Sequence, residues 1–112
     1  MAIFGTISTT SEVGVESLAS PTPGATINLD ASSDNLFKWT AGENETVNIT
    51  AGQKAGRVIT LMITNDALVR TITLGTGIVS VGTIVGTALK TAVCVLQSDG
   101  TNFYELSRTL GL

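Results

Sequence analysis

The stretch Arg57-Val58-Ile59-Thr60-Leu61-Met62-Ile63-Thr64 decides the fold class. Ile59, Leu61 and Ile63 fall on one side of an extended chain, with the period of two that a strand imposes on its side chains. Val58 and Met62 put apolar groups on the other side too, so this strand is expected at the centre of a sheet, covered on both faces. The same alternation recurs on either side of it. Toward the N-terminus, Val47 and Ile49 alternate with Thr46, Asn48 and Thr50, Phe37 and Trp39 with Lys38 and Thr40, and Ile27 and Leu29 with Thr26, Asn28 and Asp30. Toward the C-terminus, Ile72 and Leu74 continue the pattern. Val79 and Val81 then lead to Ile84 and Val85, where Gly82 and Gly86 loosen it and predict a bulge or bend. Residues 92–96 are apolar on both sides. Phe103, Tyr104 and Leu106 form a short strand paired to them through the turn Ser98-Asp99-Gly100-Thr101.

Turn-forming residues separate these runs at positions 31–34, 41–44, 51–56, 65–67 and 75–77. No window of helical length carries apolar residues at spacings of three and four behind a cap, and no internal repeat is evident. Regularly spaced short strands without helices predict an all-β chain, an antiparallel β-sandwich or jelly-roll-like domain of about eight strands. The composition agrees. The 112 residues are 43% hydrophobic but 13% charged, against about 25% charged in an average domain. Eighteen threonines and nine serines supply much of the polar surface as neutral hydroxyls, and Thr with Val and Ile favours strands. The length suits one domain.

Residues 1–24 differ from the rest. They are rich in small and hydroxyl side chains and end in Ser20-Pro21-Thr22-Pro23-Gly24, where two prolines hold the chain extended and remove two amide donors. The organisation expected is an extended N-terminal arm over 1–24 and a β-sandwich domain over 25–112. Ile3, Phe4 and Ile7 are apolar residues in a segment too short and polar for a core of its own. They are the candidate partner-binding residues, packing on the body, on another copy or on a larger assembly. A flexible arm ordered on a partner covers much surface with few residues.

Several chemistries lack their residues. With no His and one Cys, Cys94, the chain has neither a His/Cys zinc ligand set nor a Ser-His-Asp or Cys-His nucleophile, and it cannot form an internal disulfide. Asp30 with Asp34 and Glu43 with Glu45 are the candidate carboxylate pairs. Both are predicted in turns, where acids cap amides or remain solvated. Residues 30–35 resemble a calcium loop only loosely, and Gly75-Thr-Gly77 and residues 77–82 lack the third glycine and the lysine of phosphate-binding loops. The expectation is therefore no catalytic, cofactor-binding or metal site. A net charge of −3 with scattered basic residues predicts no nucleic-acid partner. Residues 71–89 carry no charge, but ten of these 19 are Thr, Gly or Ser, so no membrane span is expected. No secretory signal is legible at the N-terminus, which predicts cytoplasmic synthesis. Trp39 and Phe37 share one strand face as core or as a partner-facing patch, and Cys94 reads as a small buried hydrophobe.

Three segments carry a likeness to a known family: Ala25-Thr-Ile-Asn-Leu-Asp30, Gly56-Arg-Val-Ile-Thr-Leu-Met-Ile-Thr64, and Val95-Leu-Gln-Ser-Asp-Gly-Thr-Asn-Phe-Tyr-Glu-Leu-Ser107. Over residues 25–112 the chain resembles small β domains of tailed-bacteriophage virion proteins, most of all capsid decoration or cement proteins. Phe103 stands where those domains usually have Trp. The resemblance implies a non-enzymatic structural protein of the capsid surface, synthesised in the host cytoplasm, forming a homotrimer and binding the major capsid protein. The arm would contact capsid subunits, and no cofactor is implied. It equally implies an alternative, a tail- or head-fibre module that binds a receptor or carbohydrate.

Overall fold

The computed structural model describes residues 18–112. The strands are β1 (Leu18–Ala19), β2 (Thr26–Asp30), β3 (Leu36–Ala41), β4 (Glu45–Ala51), β5 (Val58–Asn65), β6 (Thr71–Leu74), β7 (Ile78–Val79), β8 (Ile84–Val85), β9 (Thr91–Ser98) and β10 (Phe103–Thr109). No helix occurs among the described residues, and the chain is all-β as the alternation predicts. One sheet has six strands in the order β1-β3-β5-β9-β10-β7, and the other has four in the order β2-β4-β6-β8.

The winding differs from the antiparallel sandwich or jelly roll expected from sequence. From β1 to β6 the chain changes sheet after every strand, so β1, β3 and β5 stack in parallel in one sheet while β2, β4 and β6 stack in parallel in the other. The result is a solenoid-like coil of two-strand turns. Antiparallel pairing is confined to β5 with β9, β9 with β10, and β6 with β8. The cause lies in the connectors. Parallel neighbours in one sheet need a crossover of about a dozen residues or more, but the links between β2 and β6 have three to six residues. A link that short either closes a hairpin, as between β9 and β10, or passes to the facing sheet, as it does here; the next link brings the chain back, so each round trip serves as the crossover.

Stacked turns place like beside like. Thr26 lies opposite Thr46, Ile27 opposite Val47, Asn28 opposite Asn48 and Leu29 opposite Ile49, a constant offset of 20 residues. The repeat missed in the sequence is therefore local to the four-stranded sheet. On its outer face the Asn48 amide donates to Asn28 Oδ1 at 3.1 Å, and Asn48 Oδ1 accepts the Thr76 N–H at 2.8 Å. A side chain at Gly75 would collide with that Asn48 oxygen, so glycine lets the ladder end in a backbone contact.

Between the sheets, Ile27, Leu29, Val47, Ile49, Ile72 and Ile84 meet Phe37, Trp39, Ile59, Leu61, Ile63, Cys94, Leu96 and Phe103, all buried. The β5 strand is central, between β3 and β9, as predicted. Its second face is not covered, however: Val58 is 43% exposed, and Thr60 and Met62 are half-buried. One further expectation changes. Leu18 and Ala19, assigned to the arm, pair with Leu36 and Phe37 of the body, which makes residues 20–25 the link between β1 and β2. Residues 71–89 hold β6, β7 and β8, and among the described residues no helix is long and apolar enough to cross a membrane. The hairpin of β9 and β10 forms as expected, with Phe103 opposite Ser98, and a bulge interrupts it between Glu105 and Ser107.

Leu89 is the non-glycine residue with positive φ, 62°, and it is 72% exposed. A left-handed conformation costs an ordinary L-residue about 1–2 kcal/mol, whereas Asn tolerates it. Leu89→Asn is expected to stabilise the protein by about 1 kcal/mol. Chemical denaturation reads this directly, and an unchanged or lower midpoint would count against the strain at this position.

Candidate functional site

Ile3, Phe4 and Ile7, the predicted partner-binding residues, lie outside the described residues. Phe37 and Trp39 point into the core, 2% and 5% exposed. Their shared face is thus packing rather than an open patch, although the edge of Trp39 borders a groove. The indole N–H donates to Glu45 Oε1 at 2.8 Å.

Glu45 departs from the sequence reading. It opens β4 and is buried, not solvated in a turn. Its second oxygen, Oε2, has no hydrogen-bond partner. Burial pushes its pKa above the ordinary 4.5, opposed by the Trp39 indole and the Gly24 amide, with Glu43 adding to the rise and Arg70 opposing it. Asn65 is a second buried polar group with an unpartnered atom, Nδ2, and its amide packs so closely on Gly86 that no side chain fits there.

Four further acids, Asp30, Asp66, Asp99 and Glu105, are engaged structurally. Asp30 accepts the Ser32 amide, and Asp66 accepts the Leu68 amide and a two-toothed bond from Arg70. Asp99 accepts the amides of Thr101 and Asn102, holding the β9–β10 turn. Glu105 is the most elaborate: Arg108 grips both its oxygens, at 2.6 and 2.9 Å, and the Val81 amide donates to it at 3.1 Å. Arg108 also donates to the carbonyls of Gly82 and Thr83, both at 2.8 Å. The pair thereby ties β10 to the loop before β8. The guanidinium holds the Glu105 carboxyl below its ordinary range.

The bulge makes this contact. On a regular strand, residues three apart face opposite sides. The extra residue near Leu106 restores Arg108 to the side of Glu105, with Arg108 opposite Cys94 across the hairpin. Cys94 donates its thiol to Glu105 Oε2 at 3.3 Å, and burial together with that carboxylate pushes its pKa up to about 12. A thiol so poised is a poor nucleophile. Among the described residues no group of three or more His, Cys, Asp or Glu is arranged to hold a metal ion.

The surface offers more than the interior. The outward positions of β3, β5, β9 and β10 are Leu36, Lys38, Thr40, Val58, Thr60, Met62, Thr64, Thr91, Val93, Val95, Gln97, Tyr104, Ser107 and Thr109. Lys38 is the one charge among them. Val58 and Tyr104 are each 43% exposed, and Thr64 and Thr91 share a hydroxyl hydrogen bond at 2.8 Å. At one end an open groove of about 670 Å³ runs between this face and the β1–β2 link, lined by Leu18, Pro21, Pro23, Lys38, Trp39 and Thr40 among others. Sequence patterning located these residues on strands but could not identify which face would stay uncovered.

Two predictions follow from the buried groups. A carboxyl whose pKa is raised by folding contributes its proton-linked stability below its unfolded pKa and loses it as pH rises through the folded value. Glu45→Gln keeps an acceptor for Trp39 and removes the charge, so the variant should gain stability relative to the parent as pH rises from 4 toward neutrality. Parallel denaturation curves across that range check it, and a difference that does not change with pH would refute it. Cys94 in the native protein should resist maleimide at pH 8 and react once unfolded; rapid labelling of the native state would contradict its burial.

No family model matches the chain, and no curated protein matches it in sequence.

Proposed function

We infer that this chain is a non-enzymatic structural protein of a bacteriophage capsid, a cement protein that decorates and stabilises the shell, acting as a homotrimer. The observation that carries this reading is the outer face of the six-stranded sheet. It is broad, built from threonine and aliphatic side chains, and bears Lys38 alone as a charge. Interface centres are depleted in charge and enriched in apolar and aromatic groups, the character of Met62, Val93, Val95 and Tyr104 here. The resemblance of the three sequence segments to phage virion domains supplies the partner class, the major capsid protein and other copies of this chain. Ile3, Phe4 and Ile7 are assigned to contacts with capsid subunits. Catalysis has no part in this mechanism, which needs neither cofactor nor nucleic acid: many weak copies reinforce a lattice through multivalent contact.

The groove beside the edge of Trp39 favours one other reading, a tail- or head-fibre module whose proline-lined surface binds a receptor or carbohydrate. Copy number separates the two. Quantitative mass spectrometry of purified particles against the major capsid protein is expected to find hundreds of copies per particle, and capsids lacking the protein should lose infectivity at lower temperature. A handful of copies moves the protein to a fibre, and none removes it from the virion.

A further inference from the structure

We propose that the open edge of β2 is a docking edge for residues 6–10 of the same chain, which add a parallel strand in the register Thr6 to Thr26, Ile7 to Ile27, Ser8 to Asn28 and Thr9 to Leu29. This inference moves Ile7 from a contact with capsid subunits to the chain's own core and leaves Ile3 and Phe4 in the role proposed above; its test does not depend on the capsid reading.

Three observations carry it. The first is the edge itself. Among the described residues β2 has β4 on one side and no strand on the other. The Ala25 carbonyl accepts the Thr46 amide, and the Ala31 amide donates to Ala51, so Ala25, Ile27, Leu29 and Ala31 turn their backbone groups to β4. Alternate residues of a strand point these groups in opposite directions, which aims those of Thr26 and Asn28 at the open side. An edge of this kind is a template for another strand.

The second is the winding. Every strand from β1 to β6 is followed by one in the other sheet. β1 starts at Leu18 in the six-stranded sheet, parallel to β3. A strand preceding β1 under the same rule falls in the four-stranded sheet, and its place there is beside β2. Residues 11–17 would link it to β1, close in length to the links already present between the sheets.

The third is the sequence in register. Thr6-Ile7-Ser8-Thr9 precedes Thr26-Ile27-Asn28-Leu29 by 20 residues, the offset at which Thr26-Ile27-Asn28-Leu29 stacks on Thr46-Val47-Asn48-Ile49. At this offset Ile7 would join the core column of Ile27 and Val47 with Ser8 following on the outer face, while Thr9 would join the column of Leu29 and Ile49 with a methyl in place of their larger side chains. A slip of one residue would turn Ile7 to solvent. Ser8 would stand next to Asn28, whose Oδ1 already accepts from Asn48.

The test is amide exchange followed residue by residue in the full chain. The Thr26 and Asn28 amides are expected to exchange at least about 100-fold more slowly than in Ile7→Asp, which places a charge in the core column, with no dependence on protein concentration. Thr6→Lys, altered on the outward side of the same segment, should retain the protection. Fast exchange of both amides in the parent chain means an open edge and overturns the proposal. Protection that Ile7→Asp does not remove, or that grows with concentration as dimers form, assigns the edge to a different occupant and overturns it equally.

Discussion

A short link between strands cannot join parallel neighbours of one sheet, and most of this structure follows from that constraint. Three to six residues carry the backbone from one sheet across to the other and no further. Repeated from β1 to β6, the crossing builds two parallel stacks facing each other. Their inner faces meet along Ile27, Val47 and Ile72 on one side and Phe37, Leu61 and Ile63 on the other. Parallel stacking in turn aligns equivalent residues, and the Asn28–Asn48 bond and the constant offset of β2 on β4 are products of that alignment. The coil ends where β9 returns antiparallel to β5 and continues through a hairpin into β10.

The faces of the strands were legible in the sequence, and their directions were not. A period of two states which side chains share a side, and Ile59, Leu61 and Ile63 are buried together as that rule requires. It says nothing about whether a neighbour runs up or down. Short connectors ordinarily imply hairpins, which is why an antiparallel sandwich was the natural expectation. The hairpin of β9 and β10 was readable because residues 98–101 carry a turn signal that names its own geometry. Cover on the second face of β5 was misjudged for a related reason: Val58 and Met62 are apolar, but sequence cannot tell a face buried within the chain from one left for contact outside it.

The polar interior was the least legible part. Glu45 lies beside a turn that carries Glu43, and the signal of its burial is a tryptophan six positions earlier whose indole needs an acceptor. Glu105 and Arg108 sit three apart, a spacing that on a regular strand separates them. Their contact depends on a bulge, which needs no particular residue type at Leu106 and leaves no mark in the alternation. Both cases show polar groups held by backbone geometry rather than by local pattern. The functional reading rests on the opposite kind of feature, a face whose lack of charge is plain in composition but whose exposure emerges only once the strands are placed.

The division between coil and hairpin also sorts the contacts by how much chain each one closes. β9 and β10 meet through a four-residue turn, so their pairing closes a small loop and is rapid. Each parallel contact instead joins segments about twenty residues apart, and its larger loop must close before any hydrogen bond rewards it. The contact of β5 with β9 spans more chain still, Leu61 lying opposite Cys94.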